Sequence, residues 1–247
     1  MLKNCTFADM LKSIFIAFLL LLHLYVGSSQ GTSENQDDFP SGIPALFLFP
    51  QTAFNNEYPS IKLLQTALAG YEILIKEHSV SRPGIITIID FSLPSDRERL
   101  WVLDLNNGRM LFHCLVSHGR NSGELMAESF SNQPGSNSSS PGFYATAETY
   151  IGKHGLSLAL DGLETGINDK ARERAIVIHG ADYVSTDFIK NYGRLGRSLG
   201  CPAVPVSLSK EIIETIKGGS CLFIYVPNAS YTSNSQIINK INSVQKG

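Results

Sequence analysis

The sequence lacks an excess of either charge. Its 20 Lys and Arg residues are balanced by 22 Asp and Glu residues, so the formal net charge at pH 7 is −2. Proteins that bind nucleic acids carry a clustered excess of basic residues that contact phosphates. The composition therefore argues against a nucleic acid as partner, and no internal repeat is evident in the chain.

Metal-binding patterns are absent as well. The chain has four Cys and six His residues, but no Cys-x-x-Cys pair and no His-x-x-x-His pair that would place two ligands on one helix face. We therefore expect no metal and no other cofactor. The missing Cys-x-x-Cys pair also disfavours a secreted thiol redox protein. His113 and His154 are interpreted as structural residues.

The most apolar stretch, residues 14–22, is shorter than the ~20 residues that cross a bilayer. It follows Lys3 and Lys12 and precedes small residues at Gly27 and Ser28. This order is typical of a signal peptide, so we expect residues 1–28 to be removed and the mature protein to be exported without a stable membrane span. An uncleaved anchor is the weaker alternative.

Removal of that segment takes Cys5 with it and leaves an odd number of cysteines. The three that remain are Cys114, Cys201 and Cys221, so at least one thiol stays free or pairs outside the chain. Cys114 and Cys221 lie in apolar, strand-like runs, and both a disulfide between them and two buried free thiols are open. Cys201 is the thiol placed for reactivity.

Three segments follow the predicted signal peptide. Residues 29–80 are predicted to form an extended arm and then an amphipathic helix, because apolar residues recur every three or four positions from 61 to 75. Residues 81–229 alternate between strand-like runs and tight turns, which predicts a mainly β domain with short helices. Residues 230–247 form a tail without an interpretable pattern.

The elements of the β domain can be placed on the sequence. Strands are predicted at residues 85–91, 99–105, 110–116, within 151–160, at 176–178 and at 221–226, with a helical turn at 168–174 and a helix at 210–216. The Ser- and Asn-rich run at residues 131–140 predicts a flexible loop.

A glycine-rich loop at residues 193–204 carries the strongest chemical signal. It holds Cys201, and His179 ends a β-branched run 22 residues earlier. A thiol with an ordinary pKa of about 8.5 is mostly protonated at neutral pH, and an imidazole within reach would activate it. The plainer alternative makes both of them core residues, but a Gly-rich loop with two Arg residues is a poor apolar environment. Cys201 is therefore the candidate nucleophile and His179 the candidate base.

The pattern of these residues resembles the YkuD-type L,D-transpeptidases of bacterial cell walls. That family carries His-Gly, a spacer, and then Ser/Thr-x-Gly-Cys, which stand here at residues 179–180 and 198–201. The wider match covers residues 85–225 and includes the segments 117–123 and 130–132. It resembles the branch described as the murein L,D-transpeptidase catalytic domain.

The resemblance implies a fold, a β-rich sandwich or barrel-like catalytic domain, and a set of site residues. A His that often precedes the Gly-Cys pair is Leu199 here, and the Arg or Asn that often follows the Cys is absent. The substrate carboxylate is therefore assigned to Arg194 or Arg197. The implied catalytic residues are Cys201, His179, Gly200 and Ser198, with the backbone N–H groups of Gly200 and Cys201 binding the oxyanion. The implied substrate-binding residues are Arg194, Arg197, Gly180, His118, Asn121 and Ser122.

The resemblance also implies a reaction. Cys201 attacks the third residue of a peptidoglycan tetrapeptide stem, D-Ala leaves, and an amine of a second stem resolves the thioester to a 3-3 cross-link. Water as acceptor gives an L,D-carboxypeptidase or hydrolase instead, and a lysine of a wall-anchored protein is a third acceptor. A non-catalytic peptidoglycan-binding module is the alternative from another class. The expected location is the periplasm or cell wall of a bacterium.

Overall fold

The computed structural model describes residues 58–244. The predicted signal peptide and most of the predicted arm lie outside these residues. The described strands are β1 (Ile85–Asp90), β2 (Leu100–Asp104), β3 (Arg109–Cys114), β4 (Gly142–Gly152), β5 (Gly155–Gly162), β6 (Val177–Gly180), β7 (Ala203–Val204) and β8 (Cys221–Tyr225). The described α-helices are α1 (Ile61–Lys76), α2 (Thr186–Tyr192), α3 (Val206–Ile216), α4 (Ala229–Asn234) and α5 (Gln236–Val244).

The eight strands form one sheet in the order β3-β2-β1-β8-β4-β5-β6-β7. The β1–β8 and β6–β7 pairs are parallel and the other pairs are antiparallel. β3 and β7 are the two edges, and Ser117, which follows β3, makes a bridge to Ala203 on β7. This bridge nearly closes the sheet. The prediction of a mainly β, barrel-like domain with a preceding helix and short helices is confirmed.

Helix α1 follows from the periodicity of its apolar residues. The Ser60 hydroxyl accepts a hydrogen bond from the Leu63 N–H and caps its first turn. Its buried residues include Leu64, Leu68 and Gly70, and the helix packs against α5 and β8. Helix α3, which contacts β5, β6 and β1, begins at Val206 and not at the predicted residue 210, with Pro205 immediately before it.

The C-terminal tail, in which no interpretable pattern was evident, forms most of α4 and all of α5. Asn228 caps α4 by accepting hydrogen bonds from Ser230 N–H and Tyr231 N–H. The fully buried Glu164 carboxylate accepts hydrogen bonds from the Tyr231 and Ser235 hydroxyls. A buried carboxylate needs such donors, so Glu164 holds both helices to the rest of the domain.

The strand expected within residues 151–160 is β5, which begins at Gly155 and ends at Gly162. The state of two cysteines, which the sequence left open, is decided by the structure. Cys114 and Cys221 are both free and buried, and two strands separate β3 from β8. That places them about 14 Å apart or more, beyond the reach of a disulfide. The disulfide alternative is therefore wrong and the buried-thiol alternative is correct.

No helix within residues 58–244 is long and apolar enough to cross a membrane. In the same part of the chain, no group of three or more His, Cys, Asp or Glu side chains is arranged to hold a metal ion.

Candidate active site

The cysteine loop runs from the end of α2 to the start of β7. Gly193 ends α2 in the left-handed region, with φ 71°, and Gly200 has φ 126°, which a side chain would strain. The Ser198 hydroxyl accepts a hydrogen bond from Gly200 N–H at 3.0 Å and donates to the Cys201 carbonyl at 2.6 Å. Ser198 therefore fixes the turn that presents Cys201.

Gly200 and Ser198 act within the loop in this structure. The Gly200 N–H, which the sequence assigned to the oxyanion, is already bound to Ser198. It is not available as a second donor in this conformation. The Cys201 N–H is the donor of the predicted pair that remains.

Sheet register brings His179 to the cysteine loop. His179 on β6 pairs with Ala203 on β7, two residues after Cys201, and with Ser157 on β5. Its Nδ1 lies 2.9 Å from the carbonyl oxygen of Gly180. A carbonyl only accepts, so Nδ1 carries the hydrogen and Nε2 keeps its lone pair. In this tautomer the Nε2 atom can accept a proton, as a general base must.

The Cys201 thiol and the His179 imidazole are both uncharged at neutral pH. Burial lowers the pKa of His179, an effect that the hydrogen bond to Gly180 partly offsets. Burial raises the pKa of the half-buried Cys201 thiol, and the Val177 N–H and the Arg174 charge partly offset it. The Sγ atom lies 3.7 Å from the carbonyl oxygen of Ala175. The resting site therefore holds a thiol beside an imidazole rather than an ion pair.

The loop at residues 117–123 supports the cysteine loop from one side. Ser198 N–H donates to the His118 carbonyl at 3.0 Å, and Arg120 N–H donates to the Ser198 carbonyl at 2.9 Å. Ser117 N–H donates to Ala203 on β7 at 2.9 Å. Backbone hydrogen bonds therefore join the two loops on both sides of Cys201.

His118 is placed differently from its predicted role in substrate binding. Its side chain is fully buried, its Nδ1 lies 2.8 Å from the Arg99 guanidinium, and its Nε2 lies 3.3 Å from the Gly123 carbonyl. Burial and the Arg99 charge lower the pKa of His118 to about 4. Both ring nitrogens already have partners, so the imidazole supports the loop and has none left for a ligand.

Asn121 and Ser122 contact the serine-rich loop at residues 131–140. The Asn121 Nδ2 donates to the Ser136 carbonyl at 2.8 Å, and the buried Ser122 hydroxyl accepts from Ser139 N–H at 2.9 Å. The Ser139 hydroxyl in turn donates to the Gly200 carbonyl at 3.1 Å. Ser122 is therefore linked to the cysteine loop through Ser139, whereas Asn121 is bonded to Ser136 of the serine-rich loop.

The two arginines assigned to a substrate carboxylate already hold a carboxylate of the protein. Arg194 Nε lies 2.8 Å from Glu124, and Arg197 Nη1 lies 2.6 Å from the same side chain. Arg197 also donates to the Gly123 carbonyl at 3.0 Å. Glu124 therefore competes with any substrate for both guanidinium groups.

Arg174 lies close to Cys201, and no sequence motif marked it as a site residue. Its guanidinium donates to the Ser131 and Ser138 carbonyls and to the Ser140 hydroxyl. A Cβ added at Gly200 would lie 3.1 Å from its Nη2 atom. Ser138, Ser139 and Ser140 are buried, so the loop that composition predicted to be flexible is tightly hydrogen bonded around this arginine. Arg174 precedes β6 in the sequence and belongs to no recognisable motif.

Two more residues near the pair were missed. The His154 ring, at the tip of the β4–β5 hairpin, stacks on His179 with 4.3 Å between centroids and an interplanar angle of 19°. His154 therefore packs over the His179 ring. Tyr183 packs against Gly196 of the cysteine loop, and burial and the Cys201 charge raise its pKa to about 12. Its phenol stays protonated as a donor.

The fold is that of a mainly β catalytic domain with a cysteine and a histidine at adjoining ends of two strands. A model of the L,D-transpeptidase catalytic domain matches residues 55–225, most of the chain. The chain therefore belongs to the L,D-transpeptidase catalytic domain family, as the resemblance predicted. No curated protein matches it.

Several solved structures are similar to parts of the chain. They include an L,D-transpeptidase from Mycobacterium smegmatis (10% identity, 58% of this chain and 59% of that one, TM-score 0.36) and the helical cell shape determining protein Pgp2 from Campylobacter jejuni (16% identity, 76% and 62%, TM-score 0.40). An Enterococcus faecium L,D-transpeptidase has 14% identity over 57% and 50% of the chains, with TM-score 0.34. The chain spans between half and two thirds of the length of these structures.

Proposed function

We propose that this protein is an L,D-transpeptidase that acts on peptidoglycan tetrapeptide stems through a thioester on Cys201. The observation that carries the proposal is the register of β6 and β7, which brings His179 to the loop of the one half-buried thiol among residues 58–244. Family membership supports the substrate class.

The first half-reaction forms the acyl-enzyme. His179 Nε2 takes the Cys201 proton as sulfur attacks the carbonyl carbon of the third stem residue, because both groups are neutral at rest. The Cys201 N–H and the Tyr183 phenol are our candidate donors to the oxyanion. When the tetrahedral intermediate collapses, the carbon–nitrogen bond breaks, the imidazolium protonates the leaving amine, and D-Ala departs.

The second half-reaction returns the thiol. An amine of a second stem attacks the thioester carbonyl while His179 accepts its proton. The carbon–sulfur bond then breaks to give a 3-3 cross-link, and the imidazolium passes that proton to the Cys201 sulfur. Water in place of the amine gives a carboxypeptidase, and a lysine of a wall-anchored protein gives an anchored product. Arg174 is our candidate positioning residue for the serine-rich loop, and its charge favours the thiolate during turnover.

This chemistry needs access to the cell wall, so we also propose export by a signal peptide at residues 1–28 and a catalytic domain at residues 81–229. Arg194 and Arg197 stay proposals for substrate binding that require release from Glu124. Gly180 contributes through its carbonyl, which orients His179.

The test is product analysis of the mature protein with a purified disaccharide-tetrapeptide. We expect released D-Ala and a 3-3 linked dimer. Tripeptide without dimer would reassign the protein as an L,D-carboxypeptidase. Binding of the stem without any covalent change would favour the non-catalytic wall-binding module.

A further inference from the structure

A cleft outside the catalytic site lies between the serine-rich loop and the C-terminal helices. It has a volume of about 440 Å³, within the range of about 300–1,000 Å³ that is common for small-molecule sites. One wall is formed by residues 130–132 and Pro141, the floor by residues 165–167, and the other wall by residues of α4 and α5 with Asn228 before them. We call this cleft the amide groove.

The chemistry of the amide groove is neutral. Amide side chains of Asn228, Asn234 and Gln236 line it with the Phe130 ring, and no Asp, Glu, Lys or Arg is among its lining residues. Asn234 Nδ2 donates to the Ser230 carbonyl at 2.9 Å, and Gln236 Nε2 donates to the Thr165 carbonyl at 3.1 Å. Within residues 58–244, no protein donor is bound to the side-chain oxygens of these two amides, which are left as acceptors.

The walls of the amide groove are held in place from behind. Asn132 Nδ2 donates to Asp169 at 2.6 Å, and its oxygen accepts from Lys170 N–H at 3.2 Å. On the other side, Tyr231 and Ser235 are bound to the buried Glu164. Because these side chains are already held in place, binding of a ligand would cost little side-chain conformational entropy.

The amide groove extends past the Phe130 ring. A second cavity of about 270 Å³ shares Phe130 and Asn228 with it and continues along Phe91, Met126 and Pro227. An elongated cleft with an aromatic ring midway along it fits a linear oligomer better than a single compact ligand.

The amide groove also shares a wall with the catalytic site. Ser131 lines it, and the Ser131 carbonyl accepts a hydrogen bond from Arg174 at 2.7 Å. Arg174 lies beside the Cys201 loop. The groove and the nucleophile are therefore on the two sides of one hydrogen-bonded loop.

We infer that the amide groove binds the glycan to which the stem peptide is attached. Neutral amino sugars present hydroxyl and acetamido N–H donors to amide oxygens and an apolar ring face to an aromatic side chain. The amide groove itself gives no charged partner to the carboxylates and amine of a stem peptide, and the cavity that continues it adds only the Glu128 carboxylate. The inference rests on the proposed function, since the glycan is the part of that substrate that does not react.

The kinetic test compares a disaccharide-tetrapeptide with the free tetrapeptide. Gln236→Ala and Asn234→Ala each remove an acceptor, so we expect each to lower kcat/KM for the disaccharide-tetrapeptide by about three- to tenfold and to leave the free tetrapeptide unchanged. Asn239→Ala is the matched control, because Asn239 is an amide on α5 that does not line the groove. Equal losses on both substrates, or no loss on either, would overturn the inference.

A binding test does not depend on catalysis. Chitotetraose, a peptide-free chain of N-acetylated amino sugars, is titrated into the mature Cys201→Ala protein and followed by calorimetry. We expect saturable binding that Gln236→Ala weakens about three- to tenfold and Asn239→Ala does not. No saturable binding, or equal binding by the Gln236→Ala variant, would overturn the inference even if neither stem substrate is turned over. Failure of the product analysis alone would overturn the proposed function instead.

Discussion

Other residues set the orientation of His179, the position of Cys201 and the pKa of its thiol. The Gly180 carbonyl sets the tautomer of His179, and Ser198 shapes the turn before Cys201. Arg174 supplies a positive charge that lowers the pKa of Cys201, against the larger effect of burial. Removing the Arg174 charge is therefore expected to raise the pKa of Cys201.

Arg174→Gln is expected to raise the pKa of Cys201 further and so to slow its alkylation at neutral pH, because the charge that favours the thiolate is lost. Iodoacetamide alkylation rates between pH 6 and 10, followed by intact mass, measure the shift. Cys114 and Cys221 are buried, so Cys201 dominates the signal. Arg174→Lys keeps the charge and should shift the pKa less.

The matched control for this series is Arg172→Gln. Arg172 is two residues away, is exposed, and pairs with Glu148 and Asp161. The same pKa shift in the control, or an unchanged alkylation profile in Arg174→Gln, would show that the Arg174 charge does not act on the thiol.

His118 makes stability depend on pH. Its folded pKa of about 4 lies below the ordinary value of 6.5, so its contribution to stability is complete above pH 6.5 and is lost as pH falls toward 4. Protonation would remove the acceptor for Arg99 and place two cations together. The wild type should lose about 1 kcal/mol per pH unit more than His118→Gln over this range, measured by urea unfolding at each pH. Parallel pH profiles for the two proteins would exclude this role.

At the residue scale, the sequence marks Cys201 and His179 by their residue types and surroundings, and Ser198 by the resemblance to the family. The structure places all three at one edge of the sheet. Arg174 and His154 could not be found this way, because they reach the site through long-range folding: Arg174 through the serine-rich loop, and His154 through the tip of a hairpin.

Helix α1 shows how closely an element outside the sheet is fitted to it. A Cβ added at Gly70 would lie 2.1 Å from Cζ of Phe143. Phe143 is fully buried and stacks on Phe223 with 4.1 Å between ring centroids, so the ring cannot turn away. The close approach of α1 therefore requires glycine at this position.

Gly70→Ala should destabilise the protein by about 1–3 kcal/mol, although alanine normally favours a helix by about 1 kcal/mol over glycine. Thermal unfolding measures it, with Thr66→Ala, at a half-buried position of the same helix, as the control. A stability equal to or above that of the wild type would mean that α1 is not packed as described.

Element prediction succeeded where the periodicity was long or strongly apolar. Helix α1, strands β1 to β3 and strand β8 were predicted within a few residues. Helix α4 was missed because its sequence is rich in Ser and Asn, and its stability comes from the Asn228 cap and the contact with Glu164. Strand β4 was missed because its C-terminal half is half-exposed and polar.

At the scale of the whole molecule, the sheet brings distant segments to one site. The edges β3 and β7 approach through the bridge between Ser117 and Ala203, which joins the loop at residues 117–123 to the cysteine loop. The β4–β5 hairpin places His154 over His179. No local pattern encodes this meeting of segments. The resemblance to the family indicated the loop at residues 117–123, and nothing in the sequence indicated that His154 would lie over His179.

The central claim is that Cys201 carries the acyl group during turnover. The most direct measurement is rapid-quench intact mass and peptide mapping of the mature protein mixed with the disaccharide-tetrapeptide, beside Cys201→Ala and the control Cys114→Ala. The account predicts a mass increase equal to the substrate less D-Ala, mapped to Cys201, absent in Cys201→Ala and retained in Cys114→Ala. D-Ala release that persists in Cys201→Ala, or an adduct on another residue, would contradict it.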